Sequence, residues 1–292
     1  MTYTLALGDR AYSSWSLRGW LMFEAFGIPV ETDRTRMYTP AFAETLAAYP
    51  PARTVPALRL PDGTAIGETM AIAEELATRH PEAGLWPERA DHRALARMLA
   101  AEMHAGFTAL RGACPMNLRV TWQGFEPSAE VLADLERVQT LWAHAYAMSD
   151  GKGPWLFGRY SLADVFFAPV AARIAGYGLP VDAAAQAYVD LHLAHPAFRR
   201  WRAMGLVDGP DQPVYEQGLP RGAWPGPAQR PAKAVEAGPA ENDRCPYSGL
   251  AVTHFLETGG RIFGFCNAFC RDKTVADPEA WPDFMQLLTL SR

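Results

Sequence analysis

Long apolar runs, basic tracts and cysteine are all scarce in this 292-residue chain. No uninterrupted apolar segment approaches the ~18 residues that a bilayer-spanning helix requires, which argues against a membrane partner. No basic run exceeds a few residues and the formal net charge is −5, which argues against a nucleic-acid partner. The N-terminus lacks a basic start followed by an apolar core and a small-residue cleavage site, so no signal peptide is expected. Four cysteines are too few for a disulfide scaffold. Internal repeats are missing as well. These absences point to a globular protein of a reducing, cytoplasmic compartment.

The residues that are present divide the chain by character. A length of 292 residues, 49% hydrophobic and 20% charged, suits two or three globular domains. Residues 1–82 alternate short strands and helices. Tyr3 to Leu7 reads as a strand, and 14–26 as a helix with Leu17, Trp20, Leu21 and Ala25 on one face. Residues 30–36 read as a strand and 40–48 as a short helix. Strands at 55–60 and 64–66 flank the turn Pro61-Asp62-Gly63, and a helix at 68–79 stops at His80-Pro81. The order βαβ, helical connection, ββα predicts a small α/β sheet domain. Residues 88–206 carry helical periodicity at about 90–112, 128–148, 161–175, 183–194 and 196–204, which predicts an all-α domain. Residues 209–243 hold seven of the 24 prolines and read as a Pro-rich linker. Residues 244–292 form a small third piece containing Cys245, Cys266 and Cys270.

Three segments of the first domain carry the chemistry. Tyr12-Ser13-Ser14-Trp15-Ser16-Leu17-Arg18 lies where the first strand hands over to the first helix. A helix N-terminus presents unpaired N–H groups and partial positive charge, which favour an anion. A hydroxyl there also donates to a thiolate and lowers that thiol's pKa; the plainer alternative is that Ser13 or Ser14 only caps the helix. In Arg53-Thr54-Val55-Pro56, a cis bond before the proline would leave the Val55 N–H and C=O free to pair with an extended peptide. A trans proline would merely open an edge strand. Glu68-Thr69 opens a helix and offers a hydroxyl and an N–H to a carboxylate and Glu68 to an ammonium, or else serves as an ordinary cap. One ligand carrying a thiol, a peptide backbone, a carboxylate and an ammonium would use all three segments.

In order and spacing, Tyr12 to Arg18, Thr54-Val55-Pro56-Ala57-Leu58 and Glu68-Thr69-Met70-Ala71-Ile72 resemble the glutathione transferase family. Ser161-Leu162-Ala163-Asp164 strengthens the likeness, because it is similar to that family's capping box in the helical domain. The resemblance spans residues 1 to about 206. It implies a thioredoxin-like N-terminal domain that binds glutathione as cosubstrate, a helical domain that shapes an electrophile pocket, and a homodimer. Ser13, with Ser14 a close second, would hold the thiolate; Arg18 would add positive potential. Arg53, Thr54, Val55 and Pro56 would hold the cysteinyl backbone, and Glu68 and Thr69 the γ-glutamyl group. The serine pair resembles the zeta class, which carries Ser-Ser-Cys-Ser. Trp15 stands in place of that cysteine, so the resemblance does not extend to the isomerase or disulfide-forming chemistry of that cysteine. Trp15, His104, Phe107 and Arg111 are the candidates for the electrophile pocket. The last three fall at i, i+3 and i+7 on one expected helix, a pattern that also fits a helix–helix contact. Cys114 reads as a buried small hydrophobe. The competing reading is a non-catalytic protein of the same fold whose tail recruits a metal or a partner.

The tail reads Cys245-Pro246-Tyr247-Ser248-Gly249, then Phe263-Gly264-Phe265-Cys266-Asn267-Ala268-Phe269-Cys270, then Asp277-Pro278-Glu279-Ala280-Trp281. It resembles the TRASH/YHS-like cysteine modules, in which a β-hairpin precedes a short helix and cysteines bind a metal. Cys266 and Cys270 are four residues apart and share a helix face. Thiolates in that arrangement suit Zn²⁺ or Cu(I). Cys245, Cys266 and Cys270, with His254 as fourth ligand, are the expected set. A module held by Phe263, Phe265, Phe269, Trp281 and Phe284 alone, or a disulfide, are the alternatives.

Overall fold

Apolar side chains fill strand β1 (Tyr3–Leu7), of which Leu5, Ala6 and Leu7 are fully buried. The chain then passes through helix α1 (Ser14–Glu24) and returns in strand β2 (Val30–Arg34), parallel to β1. Parallel neighbours require such a crossover. Helix α2 (Pro40–Ala47) leads to strands β3 (Ala57–Arg59) and β4 (Ala65–Ile66), and helix α3 (Thr69–Arg79) follows. The four strands form one sheet in the order β2-β1-β3-β4, with β3 antiparallel to both β1 and β4. Gly19 lets α1 lie against Pro56: a Cβ there would sit 2.7 Å from the proline ring. The start of α1 is thereby held beside the Val55-Pro56 segment.

These coordinates are a computed structural model, and it describes residues 2–149 and 151–290. The chain separates into two units, Met1–Leu193 with Gln212–Pro225, and Ala194–Asp211 with Gly226–Arg292. In the first unit the sheet is followed by helices α4 (Ala90–Ala105), α5 (Thr108–Ala113), α6 (Ala129–Met148), α7 (Leu162–Tyr177) and α8 (Ala183–Ala194). A short ribbon pairs β5 (Thr121–Trp122) with β6 (Arg221–Gly222). The α/β part and the all-α part thus appear as the residue pattern predicts, and the α/β part has the thioredoxin-like arrangement that the resemblance implies. The continuous helix expected at 90–112 is instead two. Gly106 ends α4 in extended backbone, and Phe107 adopts φ +57 with its side chain buried. The Arg111 guanidinium donates to the carbonyls of His104 and Gly106 (3.3 and 3.1 Å), satisfying acceptors that the helix end leaves open. Phe107 therefore does not share a face with His104 and Arg111.

Helix α7 is apolar on nearly every side and buried along nearly its whole length. Its start is fixed by Asp164. That carboxylate accepts from the Ser161 N–H (2.8 Å), the Leu156 N–H (3.3 Å) and the Tyr188 hydroxyl (2.8 Å). Ser161 and Asp164 complete a capping box.

The second unit holds helix α9 (Pro196–Leu206), strands β7 (Lys233–Val235), β8 (His254–Thr258) and β9 (Arg261–Phe265), and helices α10 (Ala268–Ala276) and α11 (Pro282–Leu290). The β8–β9 hairpin turns at Gly259-Gly260, both with positive φ, the geometry a two-residue hairpin demands. Phe263, Phe265, Phe284 and Leu256 fill its core. Arg199 of α9 makes a two-point ion pair with Asp277 at 2.8 and 2.6 Å. The segment 209–243, read as a linker, carries ordered pairing in both units: β6 joins β5 in the first and β7 joins β8 in the second. Its prolines interrupt hydrogen bonding without preventing short strands between them. Among the described residues no helix is long and apolar enough to cross a membrane.

Burial pushes the Asp164 carboxyl up to about 6, against the pull of its Tyr188, Ser161 and Leu156 donors. In the unfolded chain the same group titrates near ~3.9. Its contribution to stability is therefore complete below the unfolded value and lost as pH rises through about 6. Urea unfolding of wild type and Asp164→Asn should show wild type losing ground to the variant between about pH 4 and pH 6, with a constant difference above pH 7.

Candidate functional site

The loop from β1 into α1 sets two serines in different roles. Ser13 is the N-cap of α1: its Oγ accepts from the Ser16 N–H (3.1 Å) and donates to Ser16 Oγ (2.8 Å), which in turn accepts from the Gly8 N–H (2.9 Å). Its proton is therefore committed within the loop. Ser14, half-buried, accepts from Arg173 Nη2 at 3.4 Å and keeps its own proton for another acceptor. Both serines line a cavity of about 560 Å³ together with Tyr12, Trp15, Arg111, Arg173 and Tyr215.

A second cavity of about 190 Å³ shares Trp15, Thr54 and Val55 with the first and adds Pro56, Glu68, Thr69 and His104. The Val55–Pro56 peptide bond is cis. No hydrogen bond among the described residues uses the N–H or C=O of Val55, so both are available to an extended ligand. Arg53 lines the larger cavity. Glu68 sits at the N-cap of α3 with φ +62, a backbone that residues with side chains rarely adopt and that costs ~1–3 kcal/mol. Thr69 is buried, and His104 bridges the two, with Nδ1 3.2 Å from Thr69 Oγ1 and Nε2 3.4 Å from Glu68 Oε2. Burial holds the His104 pKa below its usual value; Glu68 pulls it up, and Arg18 and Arg111 push it down. Three of the four residues expected to line the electrophile pocket are at these cavities: Trp15 and Arg111 at the larger one, and Trp15 and His104 at the smaller. Phe107 is not, since its ring is turned into the protein interior by the break between α4 and α5.

Three guanidinium groups gather at the back of these cavities. Arg18 is 1% exposed; its Nε donates to the Phe166 carbonyl (2.9 Å), and neither Nη has a hydrogen-bond partner. It stacks 4.5 Å from the Trp15 ring centre, and Arg111 lies 5.0 Å from the same ring. Arg173 donates to the carbonyls of Cys114 (2.8 Å) and Pro169 (3.2 Å) besides Ser14. No ion pair to a carboxylate involves any of the three among the described residues. Burial and then Arg173 and Arg111 drive the Arg18 pKa down; burial and then Arg111 bring Arg173 down to about 10. The arrangement is a positively charged wall without a counter-ion, next to a hydroxyl at a helix N-terminus. Sequence reasoning did not single out Arg173. Its signal was present: it is the one basic residue in α7, whose other charged residue is Asp164 of the capping box. Tyr215, with Trp224, is expected from sequence as an aromatic of the Pro-rich segment that docks on the helical domain; its place at this cavity has no local signal, because it lies far along the chain.

In the second unit, the sulfur atoms of Cys245, Cys266 and Cys270 all lie within 4.8 Å of one another. Cys266 and Cys270 are 3.9 Å apart, and Ser248 Oγ and Asn267 Nδ2 donate to Cys266 Sγ at 3.2 and 3.3 Å. Burial pushes the Cys245 thiol up, but the backbone N–H groups of Cys266, Tyr247 and Ser248 outweigh it and bring it down to about 7. Burial and the charge of Cys245 push Cys270 up to about 12. His254 is not part of this group; its Nδ1 lies 2.9 Å from Thr253 Oγ1. The cysteines are all free thiols.

Residues 12–79 match a family model described as the N-terminal domain of glutathione S-transferase. Maleylacetoacetate isomerase of Pseudomonas aeruginosa is 31% identical over 175 residues, which cover 56% of this chain and 78% of that protein. A solved Burkholderia glutathione transferase homologue with bound glutathione shares the fold with a TM-score of 0.53 at 23% identity, over 70% of this chain and 98% of the other. Glutathione transferase Omega 2S of Trametes versicolor does so with a TM-score of 0.55 at 20% identity, over 74% of this chain and 99% of the other.

Removing the cap hydroxyl should act on the fold. Ser13→Ala is expected to lose about 1 kcal/mol of stability, read by thermal or urea unfolding.

Proposed function

The chain belongs to the glutathione S-transferase family, and from that premise we propose that it is a glutathione-dependent transferase or isomerase acting on small, anionic, conjugated electrophiles. Glutathione occupies the smaller cavity. Val55 pairs with its cysteinyl backbone, while Thr69 and Glu68 hold the γ-glutamyl carboxylate and ammonium, with His104 steadying both side chains. Ser14 donates to the thiolate and, with the α1 N-terminus and Arg173, favours the charged form. Ser13 positions the loop rather than the sulfur.

The observation that carries the substrate class is the wall of Arg18, Arg111 and Arg173 with no carboxylate partner. An anionic substrate supplies the missing charge. Arg111 and Arg173 line the cavity and bind its carboxylate, while Arg18 contributes from behind Trp15. The thiolate adds to the carbon β to an activating carbonyl and forms a carbon–sulfur bond and an enolate. If the enolate is protonated, the product is a conjugate. If the carbon–carbon bond rotates first and the thiolate is expelled, the product is the geometric isomer and glutathione is regenerated. The Pseudomonas aeruginosa relative is named an isomerase, which supports keeping the second outcome beside the first.

The thiol of bound glutathione should titrate below its free value in wild type. Ser14→Ala should return it most of the way and reduce kcat/KM by about 10²-fold or more, whereas Ser13→Ala should keep the depressed value. Ultraviolet titration of thiolate absorbance reads both; an unperturbed thiol in wild type would refute the assignment.

We further propose that Cys245, Cys266 and Cys270 hold one thiophilic metal ion. Sulfurs around a metal at ~2.3 Å stand about 3.8 Å apart, close to the 3.9 Å of Cys266 and Cys270. Zn²⁺ with an oxygen from Ser248 or solvent in fourth place, or three-coordinate Cu(I), suits this donor set. The ion would staple a unit whose own core is small. Elemental analysis after equilibration with Zn²⁺ or with Cu(I) should find close to one equivalent of metal. Cys270→Ser should lose it and His254→Ala should retain it; retention by Cys270→Ser would refute the centre.

A further inference from the structure

After α9 the chain re-enters the first unit at Gln212 and contributes Tyr215 to the lining of the larger cavity before leaving at Pro225. Both ends of this stretch are stitched down. At the near end Gln212 is buried: its Nε2 donates to Asp9 Oδ2 (3.0 Å) and to the Met37 carbonyl (3.2 Å), and its backbone N–H to the Tyr12 hydroxyl (3.3 Å). Asp9 is buried as well and also accepts from the Met37 N–H (2.8 Å), so one carboxylate ties this segment to the β1–α1 loop and to the chain after β2. At the far end β6 pairs with β5, the Gln123 N–H donates to the Pro220 carbonyl (2.8 Å) and Thr121 Oγ1 to the Ala223 carbonyl (3.3 Å). Gly222 is pressed so close that an added Cβ would lie 2.5 Å from Thr121 Oγ1.

Between these anchors a single 3₁₀ turn, Pro213–Tyr215, aims Tyr215 into the cavity. Its ring packs on the buried cluster of Ala11, Tyr12 and Met37, with ring centres 4.7 Å apart and planes 32° apart for Tyr12 and Tyr215. Its hydroxyl lies 3.3 Å from that of Tyr38, a residue held at φ +63 at the same mouth. One side of the cavity is thus a cationic wall of Arg111 and Arg173, and another a flat aromatic surface that this segment completes.

We infer that residues 212–222 are a fixed strap of the acceptor cavity, and that Tyr215 on it is a specificity-determining residue for electrophiles that present a planar π surface. The inference rests on the transferase reading and deepens it. The charged end of the substrate is set by arginine, and the far end is selected by stacking on Tyr215, with the hydroxyl pair of Tyr38 and Tyr215 keeping one proton outside their mutual bond to donate to a carbonyl or nitro oxygen there. Gln212 is a positioning residue: it touches no substrate and acts by holding the strap.

The full-length chain tests this by calorimetric binding of glutathione and of S-(2,4-dinitrophenyl)glutathione, a conjugate that carries a flat aromatic group into the acceptor cavity. Wild type should bind the conjugate more tightly than glutathione. Tyr215→Ala should weaken the conjugate by roughly 3–10-fold, the scale of one aromatic contact, with glutathione affinity changed less than two-fold. Tyr215→Phe should restore most of the loss, and Gln212→Ala should shift the same ratio in the same direction. Unchanged discrimination in Tyr215→Ala, or equal weakening of both ligands, would overturn the strap's role while leaving the transferase reading intact. Failure of wild type to bind glutathione at all would overturn both.

Discussion

Two buried arginines, Arg18 and Arg173, and the half-buried Arg111 stand together with no acid paired to them among the described residues, and much of the first unit is arranged around that imbalance. An isolated charge withdrawn from water costs several kcal/mol unless it is paired. Here the compensation among the described residues comes from main-chain carbonyls at Phe166, Cys114 and Pro169, from two carbonyls at the end of α4, from the Ser14 hydroxyl, and from the rings of Trp15 and Phe166. Arg18 keeps two nitrogen atoms unbonded in the interior. A fold tolerates such an unfavourable placement where a ligand completes it.

The placement follows from the packing of ordinary elements. Gly19 brings α1 against Pro56, so the serine loop and the Val55 backbone face one cleft. Asp164 fixes the start of α7, which carries Arg173 to within reach of Ser14. The break at Gly106 and Phe107 turns Arg111 back over the end of α4 and toward Trp15. The strap closes the remaining side with Tyr215. Each device is local, yet together they bring to one cavity groups from residue 12 to residue 215.

What could be read beforehand was whatever a short window contains. The apolar run of β1, the Ser-Ser loop, Val55-Pro56, Glu68-Thr69 and the Ser161–Asp164 box are all contiguous signals, and with the family resemblance they carry they sufficed for the α/β and helical halves. The hairpin followed by a helix in the tail was expected from the resemblance of its cysteine segments to TRASH/YHS-like modules, and β8, β9 and α10 stand in that order. Periodicity failed at 106–107, because apolar spacing continues across a break that only backbone geometry reveals. Tyr215 stood out in the proline-rich sequence as an aromatic suited to docking, but composition says nothing of which short stretches pair with distant strands, so its place at the cavity was not legible. His254 looked like a fourth ligand by residue type, but its position at the start of β8 directs it to Thr253 and away from the three sulfurs.

The charge requirement is the central claim, and one comparison addresses it directly. The glutathione-loaded protein should be titrated calorimetrically with maleate and with its neutral dimethyl ester at the same pH and ionic strength. The unanswered arginines predict saturable binding of the dianion, weakened strongly in Arg173→Gln, and little or none of a diester of nearly the same shape. Equal affinity for the two, or maleate binding unaffected by Arg173→Gln, would contradict the account.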